Sequence, residues 1–385
     1  MATDSDHLNG QPGGTGFDDR RWMRVAIAAA RRAEGRTADN PPVGCAIVSP
    51  LETLIAVGHT AAGGRPHAET EALAMAGAAA RGATAYVTLE PCAHTGQTGP
   101  CVDALIAAGI SRVVIAARDP DDRVNGRGIE RLAEAGIILK IGVEAEAARR
   151  VMAGFLTRAS TDRPLVTLKT ATSLDGMIAL SDGQKRWITG PQMRRYVHLL
   201  RSRSDGILSA IGTVLADDPE LTCRLPGCRA DSPHRFILDG DLRISADARL
   251  FRDVMDVGLT IFCRENVDAE RAMALRAAGA DVQPVDLDEN GKLSLSTVLA
   301  TIAEMGCSSL MVEAGGKLAA SLLRNDLVDR ILWTQGQQII GSDGVPVFAA
   351  LGRSDLTSSK AFTIATEGSF DADRFIMLER PVEIA

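Results

Sequence analysis

Residues 85–101 read AYVTLEPCAHTGQTGPC, an apolar run followed by a polar loop that Cys92 and Cys101 bracket. The run has the length and composition of a buried strand, and the VDALIAAG after the loop is typical of a helix that ends at glycine. The segment before the run, PHAETEALAMAGAAA, is rich in Ala, Leu and Glu, which predicts a helix with His67 and Glu69 in its first turn. A strand with a helix on each side of it in the sequence predicts α/β packing.

The same alternation of strand and helix continues along the chain. The predicted strands include NPPVGCAIV, LIAVGHT and SRVVIAA in the first part, and ILSAIG, HRFILDG, LTIFC, SLMVEAGG and ILWTQ in the second. Helical segments such as IERLAEAG, ERAMALRAAG and STVLATIAEMG lie between several of them. We therefore expect largely parallel sheets that are covered by helices.

The length of 385 residues is too great for one ordinary domain. A helical stretch, EAEAARRVMAGFLTRAS, is broken by TDRP before a new strand begins at LVTLKTATS, which predicts a domain boundary near Ser160. We expect a disordered leader at 1–16, a first domain at 17–150 and a second domain at 160–385. The leader is polar and glycine-rich, and it lacks the basic start and apolar core of a signal peptide.

Composition and charge narrow the class of protein. Apolar residues make up 45% and charged residues 24%, as in ordinary globular proteins. The net charge of −7, without basic blocks, argues against a nucleic-acid partner, although a small phosphorylated substrate needs only a local basic pocket. No apolar run reaches the ~18 residues that suggest a membrane span. Seven cysteines, an odd number, favour a reducing, cytoplasmic setting over a disulfide framework.

His67, Glu69, Cys92 and Cys101 are the candidate residues of a zinc site. A catalytic zinc takes three N or S ligands from the protein and keeps one position for a water molecule, whose pKa it lowers. A carboxylate that is not a ligand can then move protons, and Glu69 stands beside the histidine for that role. Two alternatives remain at this point: a structural zinc that His94 closes as fourth ligand, and cysteines unrelated to any metal.

The order H-x-E followed by P-C resembles the zinc-dependent nucleoside and nucleobase deaminases. Their second cysteine follows after two residues; here it follows after eight. This longer loop resembles the pyrimidine deaminases of riboflavin biosynthesis. NPPVG, HAE, LEPCAHTGQTGPC and DPDDRVNGRG are similar to that family's motifs and occur in the same order across residues 17 to about 145. The resemblance implies a cytidine-deaminase-like three-layer domain, with His67, Cys92 and Cys101 as zinc ligands and Glu69 as the catalytic proton carrier.

The same resemblance implies substrate contacts from Asn40, His94 and Asp119. Two positions depart from related sequences, because Gln97 stands where a basic residue is frequent and Asp121 where an asparagine is usual. We therefore expect phosphate or ribose binding to differ in detail in this half. A plain turn remains the alternative for Asn40, since an Asn-Pro pair is a common turn former.

The second half carries motifs of its own. SLDG, WIT, TVLADDP, LTCR and VEAGG resemble the C-terminal reductase half of the bifunctional riboflavin biosynthesis enzymes, over residues 164 to about 345. The resemblance implies a fold similar to dihydrofolate reductase and NADPH as cofactor. The implied cofactor contacts are Ala171, Trp187, Thr213, Asp217, Gly240, Gly315 and Gly316. The implied substrate contacts are Lys185, Arg201, Leu221, Arg224 and Glu313.

Lys169, on the first strand of this half, is the candidate to polarise or protonate the sugar during hydride transfer. Lys185 stands where the family often has a serine, and a lysine can bind phosphate as a point charge. Gly240 replaces a side chain expected near the cofactor. Without the resemblance, the glycines at 315–316 would indicate only a tight turn, Trp187 only packing, and the two arginines only solvated surface charge.

Together the two motif sets predict a bifunctional enzyme that uses zinc to deaminate a diaminopyrimidinone ribosylamine 5′-phosphate and NADPH to reduce the ribosyl group of the product. We expect a homo-oligomer, because paired domains of this type often associate. The alternatives are a reductase with an inactive deaminase-like half, a polynucleotide deaminase and a non-enzymatic zinc scaffold. No single residue decides between NADPH and NADH. Cys223 and Cys228 are interpreted as incidental thiols of a substrate loop.

Overall fold

The computed structural model describes residues 18–94, 99–119, 126–352 and 362–380, which form two compact units. The first unit takes in residues 18–30, 43–59 and 67–148 of this range, and the second takes in 31–42, 60–66 and the chain from Arg149 onward. The domain boundary near Ser160 stays a prediction, and the predicted leader lies outside the described residues. Among the helices of this range, none is both long enough and apolar enough to cross a membrane.

The first unit is built on a five-stranded sheet with the order β2-β1-β3-β4-β5. Its strands are β1 (Gly44–Val48), β2 (Leu54–His59), β3 (Thr84–Leu89), β4 (Arg112–Ala117) and β5 (Ile138–Ile141). Its helices are α1 (Asp19–Ala30), α2 (Ala68–Ala76), α3 (Cys101–Ala107) and α4 (Arg127–Glu134), and α5 (Ala145–Val151) follows. β3, β4 and β5 are parallel, as predicted, whereas β1 pairs antiparallel with both β2 and β3.

The sheet of the first unit is covered on both faces. Every residue of β1 and of β3 is buried, although side chains of a strand point alternately to its two sides. At Gly44 the helix α1 comes so close that a Cβ would lie 1.9 Å from the Ala26 carbonyl oxygen, so no larger residue fits there. Helices on both faces of one sheet give the three-layer arrangement that the resemblance implied.

The second unit contains a nine-stranded sheet with the order β11-β10-β9-β8-β12-β6-β13-β16-β15. In this spatial order, all strands from the first, β11, to the seventh, β13, run parallel to one another. The last two, β16 and β15, form an antiparallel hairpin at one edge of the sheet. Its strands are β6 (Leu165–Thr172), β8 (Gly206–Ala210), β9 (His234–Leu238), β10 (Leu259–Cys263), β11 (Asp281–Pro284), β12 (Ser309–Glu313), β13 (Arg330–Gln335), β15 (Thr363–Phe370) and β16 (Asp373–Glu379). A separate two-stranded sheet consists of β7 (Met177–Leu180) and β14 (Gly344–Pro346).

Helices cover both faces of the larger sheet. They are α6 (Ala153–Thr161), α7 (Pro191–Arg201), α8 (Ile211–Asp217), α9 (Ala269–Ala277), α10 (Leu295–Glu304) and α11 (Gly316–Arg324). Ile207, on β8, packs in one apolar cluster with residues of α8 and α9, and its neighbour Leu208 packs in another cluster with residues of α10 and α11. Adjacent strand residues thus face opposite helical layers, as expected of a doubly covered sheet.

The strand order reverses between β8 and β12. The chain leaves β8 through α8 toward β9, whereas it leaves the adjacent β12 through α11 toward β13, on the other side. In open α/β sheets such a reversal leaves a crevice at the carboxyl ends of the strands, where ligands bind. The topology therefore favours a binding site in the second unit at the carboxyl ends of β8 and β12.

Candidate active sites

The first candidate site begins at the start of α2. His67 is the residue that precedes this helix, with extended backbone angles (φ −70°, ψ 159°), and Glu69 lies in its first turn, as predicted. Glu69 is only 3% exposed. The start of the helix therefore carries an imidazole and a buried carboxyl group side by side.

The two cysteines meet this histidine from the carboxyl end of β3. Cys92 lies just beyond that strand, and Cys101 is the first residue of α3. His67 Nδ1 lies 3.3 Å from Cys101 Sγ and 3.7 Å from Cys92 Sγ. The three ligand atoms all lie within 4.8 Å of one another. Residues that are far apart in the sequence thus converge on one point.

The spacing of these atoms fits a zinc ion. With Zn–N of about 2.0 Å and Zn–S of about 2.3 Å at tetrahedral angles, nitrogen and sulfur ligands are about 3.5 Å apart. The two observed distances, 3.3 and 3.7 Å, lie on either side of that value. Within the described ranges this is the one grouping of three or more potential metal ligands, and neither His94 nor Glu69 belongs to it. Three protein ligands leave a coordination position open, as a catalytic site requires.

The charges around this grouping favour a cation. A contact with the Cys101 thiol lowers the pKa of Cys92, and the same contact, together with burial, raises the pKa of Cys101. Two thiols this close cannot both ionise unless a positive charge compensates them. Burial raises the pKa of Glu69 to about 7, and the negative charge of Cys92 adds to that rise.

The predicted substrate contacts of this half do not all belong to the first unit. His94 is half-buried in the loop after Cys92, and its Nδ1 is buried without a partner among the described residues. Asp119 is buried just beyond β4. Asn40 lies in a segment that belongs to the second unit, where its carbonyl oxygen accepts a hydrogen bond from Thr37 Oγ1 at 2.6 Å. Gln97 and Asp121 lie outside the described residues.

The predicted cofactor residues of the second half gather at the reversal of strand order. Ala171 lies near the carboxyl end of β6, and Gly240 lies two residues beyond β9. Thr213 and Asp217 belong to α8, which follows β8 directly. The glycines at 315–316 link β12 to α11. Because these strands are parallel neighbours, all these positions lie at the same side of the sheet, where the strands have their carboxyl ends.

Trp187 lies in the loop before α7, and its residue is 73% exposed. The Arg194 guanidinium lies over its ring, 4.4 Å from the centroid. Lys185 is exposed in the same loop. Both side chains are thus accessible from solvent, as residues that meet a soluble ligand must be.

Lys169 and Glu313 are brought together by the strand register. They are direct partners in the parallel pairing of β6 with β12. Arg201, from the last turn of α7, binds Glu313 with two bonds, from Nε at 2.6 Å and from Nη2 at 2.8 Å, and its Nη1 donates to the Thr222 carbonyl oxygen. Three predicted site residues therefore form one partly buried network.

The network sets the protonation of its members. Burial acts to raise the pKa of Glu313, but the charges of Arg201 and Lys169 and the hydrogen bonds from Arg201 outweigh it, and the pKa falls to about 2. Burial lowers the pKa of Lys169, and the Glu313 charge opposes that effect. A lysine whose pKa is lowered gives up its proton more readily than an exposed one.

The loop at 221–224 is fastened to α7. Cys223 Sγ donates to the His198 carbonyl oxygen at 3.3 Å, and the Arg224 backbone N–H donates to His198 Nδ1 at 3.3 Å. Leu221 is buried, whereas Arg224 is exposed. Cys223 and Cys228 do not belong to the metal-ligand grouping found in the described ranges.

His198 is a further residue of this site that no sequence motif marks. The signal that could have found it is its place three residues before Arg201, because residues three apart lie on the same side of a helix. Burial, followed by the nearby Arg201 and Arg224 charges, lowers the pKa of His198 to about 4, so the ring is neutral near pH 7 and can accept the bond from Arg224.

Two known protein families match the two halves of the chain. Residues 17–117 match the family described as the cytidine and deoxycytidylate deaminase zinc-binding region. Residues 164–367, more than half of the chain, match the RibD C-terminal domain. The chain belongs to the RibD family. It is accordingly a bifunctional enzyme of riboflavin biosynthesis, a deaminase and a reductase, with zinc and NADPH as cofactors.

Relatives from several bacteria cover nearly the whole chain. The riboflavin biosynthesis protein RibD of Escherichia coli (strain K12) is 39% identical over 358 residues, which cover 90% of this chain and 95% of that protein. The RibD of Aquifex aeolicus is 38% identical, covering 84% and 88%. The structure of Acinetobacter baumannii RibD (form 1) is 33% identical with a TM-score of 0.84, covering 94% of this chain and 99% of that one.

A solved structure from Thermotoga maritima carries both activities in its name, diaminohydroxyphosphoribosylaminopyrimidine deaminase and 5-amino-6-(5-phosphoribosylamino)uracil reductase. It is 33% identical with a TM-score of 0.82, and the match covers 94% of this chain and 99% of that one. The predicted fold class, family, enzyme classes and cofactors are therefore confirmed for this RibD chain. A polynucleotide deaminase and a reductase with an inactive first half are not favoured.

Proposed function

We propose that the first unit removes an amino group from a diaminopyrimidinone ribosylamine 5′-phosphate and that the second unit then reduces the ribosyl group of the product to ribityl. The observation that carries the proposal is the convergence of His67, Cys92 and Cys101 on one point beside the buried Glu69. The Thermotoga maritima relative, whose name states both activities, supports the choice of substrates.

In the deaminase site, His67, Cys92 and Cys101 would hold zinc through Nδ1 and two sulfurs. Zinc supplies Lewis-acid activation of water at neutral pH. Glu69 accepts a proton from the attacking water and delivers one to the departing nitrogen, so that the ring carbon exchanges its amino group for an oxo group and ammonia leaves. His94 and Asp119 are proposed to contact the pyrimidine from the same unit, and Asn40 is proposed as a further substrate contact.

In the reductase site, NADPH would supply a hydride to the ribosyl carbon that is bonded to nitrogen. The bond from this carbon to the ring oxygen breaks, and Lys169 donates a proton to that oxygen. Glu313 holds Lys169 in place through their pairing across β6 and β12, and Arg201 holds Glu313. We propose that these residues also contact the substrate, together with Leu221, Arg224 and Lys185.

The cofactor is proposed to bind along the carboxyl edge where the strand order reverses. Gly315 and Gly316 lie at the start of α11, where free backbone N–H groups suit a phosphate. The other proposed contacts are Ala171, Trp187, Thr213, Asp217 and Gly240. The position of all but Trp187 on one sheet edge supports this assignment.

We also infer that the protein works in the cytoplasm as a homo-oligomer, on small molecules rather than on nucleic acid or a membrane. The net charge of −7 disfavours nucleic acid. The edge strand β5 exposes Ile138 by 64% and Ile141 by 40%, and an apolar edge strand of this kind is a suitable surface for a second copy.

The test is the mass of the product after zinc-loaded protein acts on the diaminopyrimidinone ribotide with NADPH. Deamination adds about one mass unit and reduction then adds about two, because NH is exchanged for O and two hydrogens are gained. Omitting NADPH should stop the reaction after the first change. Folded, zinc-loaded protein that produces neither change would refute the proposed substrates.

A further inference from the structure

Glu90 is a buried carboxylate that the proposed chemistry does not use. It lies between β3 and Cys92, with only Pro91 before the cysteine, and it is 3% exposed. Its Oε1 accepts hydrogen bonds from the backbone N–H groups of Gly128 at 3.0 Å and Ile129 at 3.2 Å. Its Oε2 accepts another from the N–H of Gly126 at 3.1 Å. One side chain thus satisfies three backbone donors at the start of α4.

The helix α4 depends on this carboxylate. Gly126, the residue before the helix, has a left-handed backbone (φ 88°) and caps no N–H group with a side chain of its own. The first N–H groups of a helix need acceptors, and a negative group there is favoured by the helix dipole. Glu90, just beyond the end of β3, supplies both the acceptor oxygens and the negative charge.

The contact extends to the peptide that leads into Cys92. A Cβ at Gly128 would lie 2.2 Å from the Pro91 carbonyl oxygen, so α4 packs directly on that peptide. On its other side Cys92 is held by the start of α3, since the Cys101 N–H donates to Cys92 Sγ and the Val102 N–H to the Cys92 carbonyl oxygen, both at 3.3 Å. Cys92 is therefore fixed between the starts of two helices.

We propose that Glu90 is a positioning residue for the metal site, which sets the direction of the Cys92 sulfur by anchoring α4 against Pro91. The inference rests on the proposed role of Cys92 as a ligand. Groups that orient a metal ligand commonly change metal affinity by about 10–100-fold when they are removed. Glu90 reaches Cys92 through the backbone, so its loss should act on metal retention more than on folding.

The test compares two buried carboxylates of the same unit. Asp19 is also buried and accepts hydrogen bonds from Tyr86 Oη at 2.9 Å, from Arg112 at 2.7 and 2.9 Å and from Lys140 at 2.8 Å. These partners lie on β3, β4 and β5 and do not include the Cys92 loop. Asp19→Asn therefore serves as a matched control that weakens the unit without touching the proposed anchor.

Glu90→Gln keeps the shape of the side chain but replaces one acceptor oxygen by an NH₂ group that faces a donor. In the full-length, zinc-loaded protein we expect zinc release to a colorimetric chelator to become about 10–100-fold faster. Asp19→Asn should lower the thermal midpoint but leave the release rate within about twofold of the parent. The reductase activity, measured on deaminated substrate, should not change in either variant.

Equal release rates for the two variants at comparable thermal midpoints would overturn the inference, because Glu90 would then be only a structural carboxylate. If Glu90→Gln does not fold, Gly128→Ala tests the same contact, since its Cβ would push against the Pro91 carbonyl oxygen; it should also speed release, and unchanged release would equally overturn the proposal. Parent protein that binds no zinc would instead refute the proposed metal site itself.

Discussion

Glu69 is buried and Glu313 is partly buried, each at the centre of a proposed active site, yet their pKa values move in opposite directions. The pKa of Glu69 rises to about 7, whereas that of Glu313 falls to about 2. Burial acts to raise both values. At Glu69 burial is the largest effect and the charge of Cys92 adds to it, whereas at Glu313 the charges of Arg201 and Lys169 and the hydrogen bonds from Arg201 outweigh burial. Whether neighbouring positive charge outweighs burial therefore decides the role of each carboxyl group.

The largest expected effect is the loss of deamination when Glu69 is replaced. Glu69→Gln should reduce the rate of deamination by about 10³-fold, within the range for loss of a proton carrier, because an amide cannot shuttle the proton. Zinc content, measured by metal analysis, and reductase activity should remain at parental levels. Deamination within tenfold of the parent would show that Glu69 does not carry the proton.

Removing Arg201, the cation that binds Glu313, should mainly lower the stability of the second unit. Arg201→Met leaves the partly buried Glu313 without its bidentate partner, which should lower the free energy of unfolding by about 3 kcal/mol, the low end of the range for breaking a buried pair. Denaturant unfolding followed by Trp333 fluorescence, on β13 of the same unit, measures the loss. The double variant Arg201→Met with Glu313→Met should lose less than the sum of the single variants, and additive losses would mean that the pair is not coupled.

The pH dependence of stability sharpens the same contrast. Because the pKa of Glu313 lies below the ordinary carboxyl value of about 4.3, the folded unit binds fewer protons than the unfolded chain between these two values. The contribution of Glu313, roughly 3 kcal/mol, is therefore present above pH 4.3 and is lost as the pH falls toward about 2. Glu313→Gln should flatten this part of the stability curve, and an unchanged slope would contradict the low pKa.

The smallest expected effect concerns Trp187, which is exposed. Trp187→Ala should change the free energy of unfolding by no more than about 0.5 kcal/mol, as surface substitutions usually do. If the ring contacts the cofactor, the KM for NADPH should rise several-fold while deamination stays at its parental rate. An unchanged KM would leave Trp187 only as a partner of Arg194.

The metal grouping was predictable from sequence because its residues sit at fixed points of regular elements. His67 precedes a helix, Cys92 follows a strand and Cys101 opens another helix, and alternation and composition show such points. Most strands and helices of both units were predictable for the same reason. The resemblance of the motifs then supplied the chemistry that spacing alone left open.

Other features depend on contacts that no local pattern encodes. Arg201 and Glu313 are 112 residues apart, and their pairing depends on how α7 packs against β12 and β13. The antiparallel direction of β1 and the hairpin of β15 and β16 were not predicted. The alternation of strands and helices along the sequence identifies strands but does not give their direction. Glu90 looked like the end of a strand, and only the fold shows that α4 begins on it.

The register of β6 and β12 has a consequence for how this enzyme can evolve. Lys169 and Glu313 face one another only while both strands keep their alignment, and a shift by one residue sends a side chain to the opposite face of the sheet. Insertions or deletions inside either strand are therefore expected to be eliminated in descendants of this sequence. The short link from β12 to α11, which carries the glycines at 315–316, should keep its length for the same reason, so the charged pair and this link should be inherited together.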